Sequence, residues 1–137
     1  MDVDAEFSER RRVLDPVTQQ EILVPPGISD ERAIEHARRE REGELHRIRF
    51  FVDWGHRYPL WESFTEKYAM EPDDYGVSPG LGRRLGEWAL FWTAHVEPAE
   101  GWDDPANQAL WLATGDELVR ELELEVYDIA VVLAEFR

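Results

Sequence analysis

Ten carboxylates lie between Glu97 and Asp128, against a single base, Arg120. They are Glu97, Glu100, Asp103, Asp104, Asp116, Glu117, Glu121, Glu123, Glu125 and Asp128. Such a run is either a solvated helix face that serves solubility or a docking surface for a basic protein partner. A docking surface of this kind speeds association and selects partners more than it adds raw affinity. A cation site needs ligand spacing like that of an EF-hand loop, and the run lacks it. Trp102 stands in the loop segment Gly101-Trp102-Asp103-Asp104. Loop tryptophans either anchor a loop into the core or act as binding hot spots. On the docking reading Trp102, Asp103, Asp104, Asp116, Glu117 and Glu121 carry the contact, and no metal or cofactor is called for.

Acid–base chemistry finds less support. Glu121, Glu123 and Glu125 recur at i, i+2, so on a helix they point apart, and in an extended segment they line one wet face. Neither arrangement buries a carboxylate so as to raise its pKa. His36 and Glu40 have the i, i+4 relation of two metal ligands, but no third ligand is tied to them by spacing. The segment DWGHRYP is the closest to an active site, with Asp53, His56, Arg57 and Tyr58 lining an alternative pocket for a small enzyme or ligand-binding domain. That reading predicts a concave site holding His56, and it lacks an identified nucleophile. Gly76, Gly80, Gly82 and Gly86 are not followed by the Lys-Ser/Thr of a phosphate loop. Arg83-Arg84, the only basic doublet after residue 50, either meets an anion near a helix start or faces solvent. The balance is against an enzyme.

These residues need elements to hold them. Ile48, Phe50, Val52 and Trp54 alternate with Arg47, Arg49, Phe51 and Asp53, which predicts a strand over about 46–54 with one buried face. YPLWESF reads as a turn into a short helical stretch ending near Met70, and EPDDYGVSPG as loop. Ser78-Pro79 and Asp104-Pro105 are each an N-cap followed by Pro at the first helical position. The first opens a helix over about 79–96 with Leu81, Leu85, Trp88 and Trp92 on one wall. The second opens a helix over about 105–123 with Trp111, Gly115, Leu118 and Leu122 on one face. Gly115 costs about 1 kcal/mol of helix propensity relative to Ala, which suggests close packing there. VYDIAVVLAEF has the β-branched density of a buried strand, placed at about 126–134. The fold class is therefore α+β, a small sheet with two helices on one face, over residues 45–137. Strand order and direction stay open.

Residues 1–44 form an N-terminal arm. Its first eight residues are polar and read as a frayed end. Val13-Leu14 and Ile22-Leu23-Val24 then flank a Pro-containing stretch, predicting a hairpin. Ser29 caps a polar helix from about Glu31 to Glu42, which Gly43 ends.

Across all 137 residues, 30 acids oppose 15 bases, for a net charge of −15. A basic nucleic-acid-binding domain is excluded, because the summed field repels phosphates. With 43% hydrophobic residues and six Trp the chain is not disordered in composition. The absence of Cys removes disulfide scaffolds and thiol catalysis. No apolar run approaches the roughly 18 residues of a membrane span, and MDVDAEFSERRR lacks a signal-peptide core. The expectation is a soluble, cytoplasmic domain. Fourteen Arg against one Lys and one Asn fit a high-GC genome.

The body resembles a group of short actinobacterial proteins in Asp53-Trp54-Gly55, Pro59-Leu60-Trp61, Ser78-Pro79, Leu81, Leu85, Trp88, Gly101-Trp102, Gly115, Leu118, Leu122 and Glu125. The resemblance spans about residues 46–128 and implies neither an activity nor a catalytic residue. Taken together, the residues read as a non-enzymatic acidic protein-binding module. Such modules include immunity or antitoxin-like proteins and nucleic-acid mimics that inhibit a basic partner.

Overall fold

A computed structural model describes residues 11–137. The expectation of a frayed N-terminus falls outside these residues. The described chain forms two compact units, one ending at Leu45 and the other His46–Arg137.

In the first unit β1 (Arg11–Leu14) pairs antiparallel with β2 (Glu21–Val24), in the register Arg11↔Val24. The turn between them is built around Asp15, which is buried. Its Oδ1 accepts from the Val17 backbone N–H at 2.9 Å and its Oδ2 from Arg41 Nη1 at 2.6 Å. The Val17 N–H, followed by the Arg41 guanidinium, outweighs burial and holds this carboxyl below the usual range. Arg41 belongs to α1 (Asp30–Arg41), capped by Ser29, whose hydroxyl accepts from the Arg32 N–H.

The second unit carries a three-stranded sheet. Its central strand β3 (His46–Phe50) pairs antiparallel with β4 (Leu60–Trp61) and parallel with β7 (Ala130–Ala134), in the register His46↔Ala130. Parallel partners need a long crossover, and the intervening chain supplies it with α2 (Pro79–His95) and α3 (Pro105–Glu125). The Ser78 hydroxyl accepts from the Leu81 N–H and the Asp104 carboxylate from the Ala106 N–H, so both helices begin where the Pro-containing caps require. Between them, β5 (Val96–Glu97) and β6 (Gly101–Trp102) form a tight hairpin. Among the described residues no helix is long and apolar enough to cross a membrane.

The two helices run antiparallel and are joined by aromatic packing. Trp88 and Trp111 stack with ring centroids 4.1 Å apart and planes 2° from parallel. Each indole N–H donates to the other residue's backbone carbonyl, at 2.8 and 2.9 Å. Gly115 makes the close approach possible, because a Cβ there would stand 2.7 Å from both Trp88 Cζ2 and Phe136 Cε2. Beneath this pair lie Phe50, Leu60, Leu85, Leu118 and Leu122, all fully buried.

Several local expectations are corrected. The strand expected over about 46–54 stops at Phe50, where its pairing with β4 and β7 ends, and Gly55 then turns the chain with φ +88°. Trp54 leaves the inner face, stays 45% exposed and packs on Trp92 at 4.5 Å. No helix forms between Tyr58 and Met70. The chain instead makes β4 and returns through a bridge between Trp61 and Ala69, with Phe64 and Tyr68 at positive φ. The Thr65 hydroxyl fixes that turn by donating to the Glu62 carbonyl and accepting from the Tyr68 N–H. The supposed loop 71–80 contains a 3-10 helix, Pro72–Tyr75, ended by Gly76 at φ +67°. Helix α3 continues to Glu125, so the last strand starts at Ala130 rather than 126, and α2 ends at His95 rather than 96.

Candidate functional site

The hairpin β5–β6 gathers Glu97, Glu100, Trp102, Asp103 and Asp104 at the end of α2 and the start of α3. Gly101 at φ +82° allows the tight return. Trp102 is half-buried, with its ring 5.4 Å from Trp111 and 6.3 Å from Phe91, so it anchors the hairpin to the helices. Asp103 Oδ2 accepts from His95 Nδ1 at 2.8 Å and Oδ1 from Asn107 Nδ2 at 3.2 Å. The His95 bond, then that of Asn107, holds the Asp103 carboxyl below its usual range. Asp104 is occupied in capping α3. Glu97 and Glu100 are exposed, and among the described residues neither carboxylate has a hydrogen bond or ion pair.

The acids of α3 divide. Asp116 forms a two-pronged bond with Arg137, both contacts at 2.7 Å, which pulls its carboxyl pKa down. Glu121 accepts from Arg84 of α2 at 2.8 Å. Glu125 accepts from the Ser78 backbone N–H and from the Ser78 hydroxyl, each at 2.7 Å. A carboxylate therefore already fills the start of α2, where an anion near Arg83-Arg84 was considered. Glu117 is exposed and has no hydrogen bond among the described residues. Of the six residues expected to form one contact, Trp102, Asp103 and Asp104 meet at the hairpin. Glu117 and Glu121 lie along α3, and Asp116 turns away to Arg137.

Between α2 and α3 the surface is concave. A cavity of about 220 Å³ is lined by Arg84, Glu87, Phe91, Leu110 and Thr114 over a floor of Trp88, Trp111 and Leu118. Leu110 is 58% exposed at its edge. Residues 110, 114, 117 and 121 form one stripe at helical spacing, so Glu117 and Glu121 continue the wall that Leu110 and Thr114 begin. The i, i+4, i+7 spacing is present in the sequence, but Leu110 and Thr114 sit beside the buried stripe of Trp111, which masks it.

The alternative pocket is also concave. A cavity of about 460 Å³ is lined by His56, Arg57, Tyr58, Glu71, Asp73 and Arg83, beside the first turn of α2. Asp53 does not line it; its carboxylate accepts from the Trp54 N–H at 2.8 Å. No His56–Asp53 bond forms among the described residues. His56 Nε2 is instead bonded to the Met70 carbonyl at 2.8 Å, and the Arg57 guanidinium lies 5.1 Å from the Tyr58 ring centre. The cavity holds cationic and anionic groups together, without an oriented His–carboxylate pair. Among the described residues no cluster of three or more His, Cys, Asp or Glu is arranged to hold a metal ion.

Residues 46–133 match the sequence model of a family described as Serratia CdiI immunity protein-like. The match begins with β3 and ends within β7. No curated protein matches the chain.

Proposed function

The chain belongs to the Serratia CdiI immunity protein-like family, and from that premise we propose that it is an immunity-type protein that binds a basic protein partner and blocks it. The contact is made by the hairpin β5–β6 together with the exposed side of α3. Trp102, Asp103, Asp104, Glu117 and Glu121 belong to this face, with Glu97 and Glu100 added at the hairpin. The observation that carries the reading is the set Glu97, Glu100 and Glu117, exposed acids with no hydrogen bond or ion pair of their own. By contrast Asp116, Glu135 and, on the face itself, Glu121 are neutralised by Arg137, Arg49 and Arg84. Unpartnered charge is what remains to steer a cationic surface.

The test uses the protein that the tagged chain retains from host extract, purified and re-associated in a stopped-flow experiment. Glu97→Lys, Glu100→Lys and Glu117→Lys together leave the fold's own bonds intact. They are expected to slow association about tenfold or more at low ionic strength. The difference should shrink as salt screens it. An association rate indifferent to all three changes overturns the reading.

A second reading has one observation in its favour, the cavity that brings His56, Arg57 and Tyr58 together. Arg57→Ala with Arg83→Ala separates the two in the same assay. Association is unchanged if the hairpin face carries the contact and is lost if the cavity does.

A further inference from the structure

We propose that the groove between α2 and α3 receives an arginine side chain of the partner protein. The inference rests on the docking reading above and names the chemistry of its central contact.

The groove's size suits a single inserted side chain. At about 220 Å³ it has room for one long side chain. Its floor is apolar, formed by the indole edges of Trp88 and Trp111, which are only 4% and 3% exposed. Phe91 forms one wall, half-buried, with His95 packed beside it at 4.3 Å between ring centres. Leu110 and Thr114 form the other.

Charge stands at both ends. At one end Arg84 lies among three carboxylates, those of Glu121, Glu117 and Glu87. Only Glu121 is bonded to it, at 2.8 Å. Arg83 approaches Glu87 no closer than 3.9 Å, with both side chains well exposed. Three carboxylates stand against two guanidiniums, that of Arg84, which lines the groove and is held by Glu121, and that of Arg83 beside Glu87, so one negative charge is left in excess at this rim. At the other end stands the hairpin, with Glu97, Glu100, Asp103 and Asp104 behind Trp102.

An apolar floor between acidic banks suits a side chain that is apolar along its stem and cationic at its tip. Arginine meets both demands. Its methylenes cover the floor, its planar guanidinium can lie on the Phe91 ring, and its fork offers donors to Glu87 or Glu117. Leucine would leave the carboxylates unanswered. An acidic side chain would be repelled. Lysine carries the charge as a compact, strongly hydrated head that stacks poorly.

The probe is N-acetyl-arginine amide, titrated into the 15N-labelled full chain and followed by amide and indole N–H shifts. N-acetyl-citrulline amide, its neutral isostere, and N-acetyl-leucine amide are the controls. The arginine probe is expected to shift Phe91, Leu110 and Thr114 along saturable curves, with the controls leaving them in place. Glu87→Gln with Glu117→Gln should weaken the arginine probe about threefold, and Thr114→Trp, which fills the groove from its rim, should abolish its effect. Equal shifts from citrulline or leucine overturn the assignment. So do shifts confined to the hairpin acids, or none at the groove. If the groove is silent while Glu97→Lys, Glu100→Lys and Glu117→Lys still slow the partner, the arginine assignment falls and the docking reading stands. If the groove binds arginine while the partner is indifferent to those reversals, the docking reading falls and takes the partner assignment with it.

Discussion

Trp111→Ala is expected to cost about 3–5 kcal/mol, the upper range for loss of a large buried ring. Trp111 is nearly inaccessible and packs on Trp88, Trp102 and Phe136 at centroid distances of 4.1, 5.4 and 5.7 Å. Domains of this size have only about 5–15 kcal/mol of stability in total, so the variant should unfold at a far lower urea concentration, or be largely unfolded without urea. Near-ultraviolet circular dichroism reports the same event through loss of the signal from two parallel indoles. Trp111→Phe keeps most of the volume and removes the bond to the Trp88 carbonyl, and should cost much less. Gly115→Ala probes the same contact from the opposite side. Helix propensity favours it by about 1 kcal/mol, whereas overpacking costs about 1–3 kcal/mol. With two rings already at 2.7 Å from the added carbon, and neither ring free to swing away, overpacking wins. In the Trp111→Ala background Trp88 gains room, and Gly115→Ala should lose most of its cost there. Additive effects in that cycle would refute the packing account.

The helices were legible because their signals are local. Ser78-Pro79 and Asp104-Pro105 declare helix starts, and Leu81, Leu85 and Trp88 repeat at helical spacing, so the α+β class followed from short windows. Gly115 was legible for the opposite reason, as a residue that local propensity disfavours and that a close contact must explain. The strand ending was not legible. Alternation continues through Trp54 in the sequence, yet pairing ends where β7 ends, since the Phe50 carbonyl accepts the Glu135 N–H and nothing further pairs. Strand direction was equally silent, because the chain between β3 and β7 is long enough for either.

The acidic face was half legible for a physical reason. A count of carboxylates records charge but not what stands opposite each one. Asp116 meets Arg137 across 21 residues and Glu121 meets Arg84 across 37, separations at which no window reveals a pair. Asp103, Asp104 and Glu125 are engaged as well, by His95, the Ala106 N–H and Ser78, and Glu123 and Asp128 also have partners, so of the ten acids Glu97, Glu100 and Glu117 are left, two of them on the hairpin. A loop tryptophan such as Trp102 is either a core anchor or a contact residue. Its half-buried position between Phe91 and Trp111 makes it an anchor, with its outer surface still on the hairpin face.

Glu62→Ala should cost about 2–3 kcal/mol, because it strands a buried phenol. Glu62 is itself almost buried, at 9% exposure. Its Oε1 accepts from the Tyr75 hydroxyl at 2.8 Å and its Oε2 contacts His46 Nδ1 at 3.0 Å, tying the turn after β4 to the 3-10 helix and to the start of β3. Glu62→Gln retains an acceptor for Tyr75 and should recover most of the loss. The same pair predicts an alkaline limit. Burial first, and then the adjacent Glu62 carboxylate, push the Tyr75 hydroxyl far above the ordinary tyrosine value of about 10. In the unfolded chain that hydroxyl ionises at its ordinary value, while in the folded chain it stays protonated. The stability it contributes is complete below about pH 10 and is lost as pH rises beyond that point. Urea midpoints measured near about pH 8 and about pH 11 should therefore fall more steeply for the unaltered chain than for Tyr75→Phe, which has no proton to lose. The same midpoint drop in Tyr75→Phe would place the alkaline limit at another group.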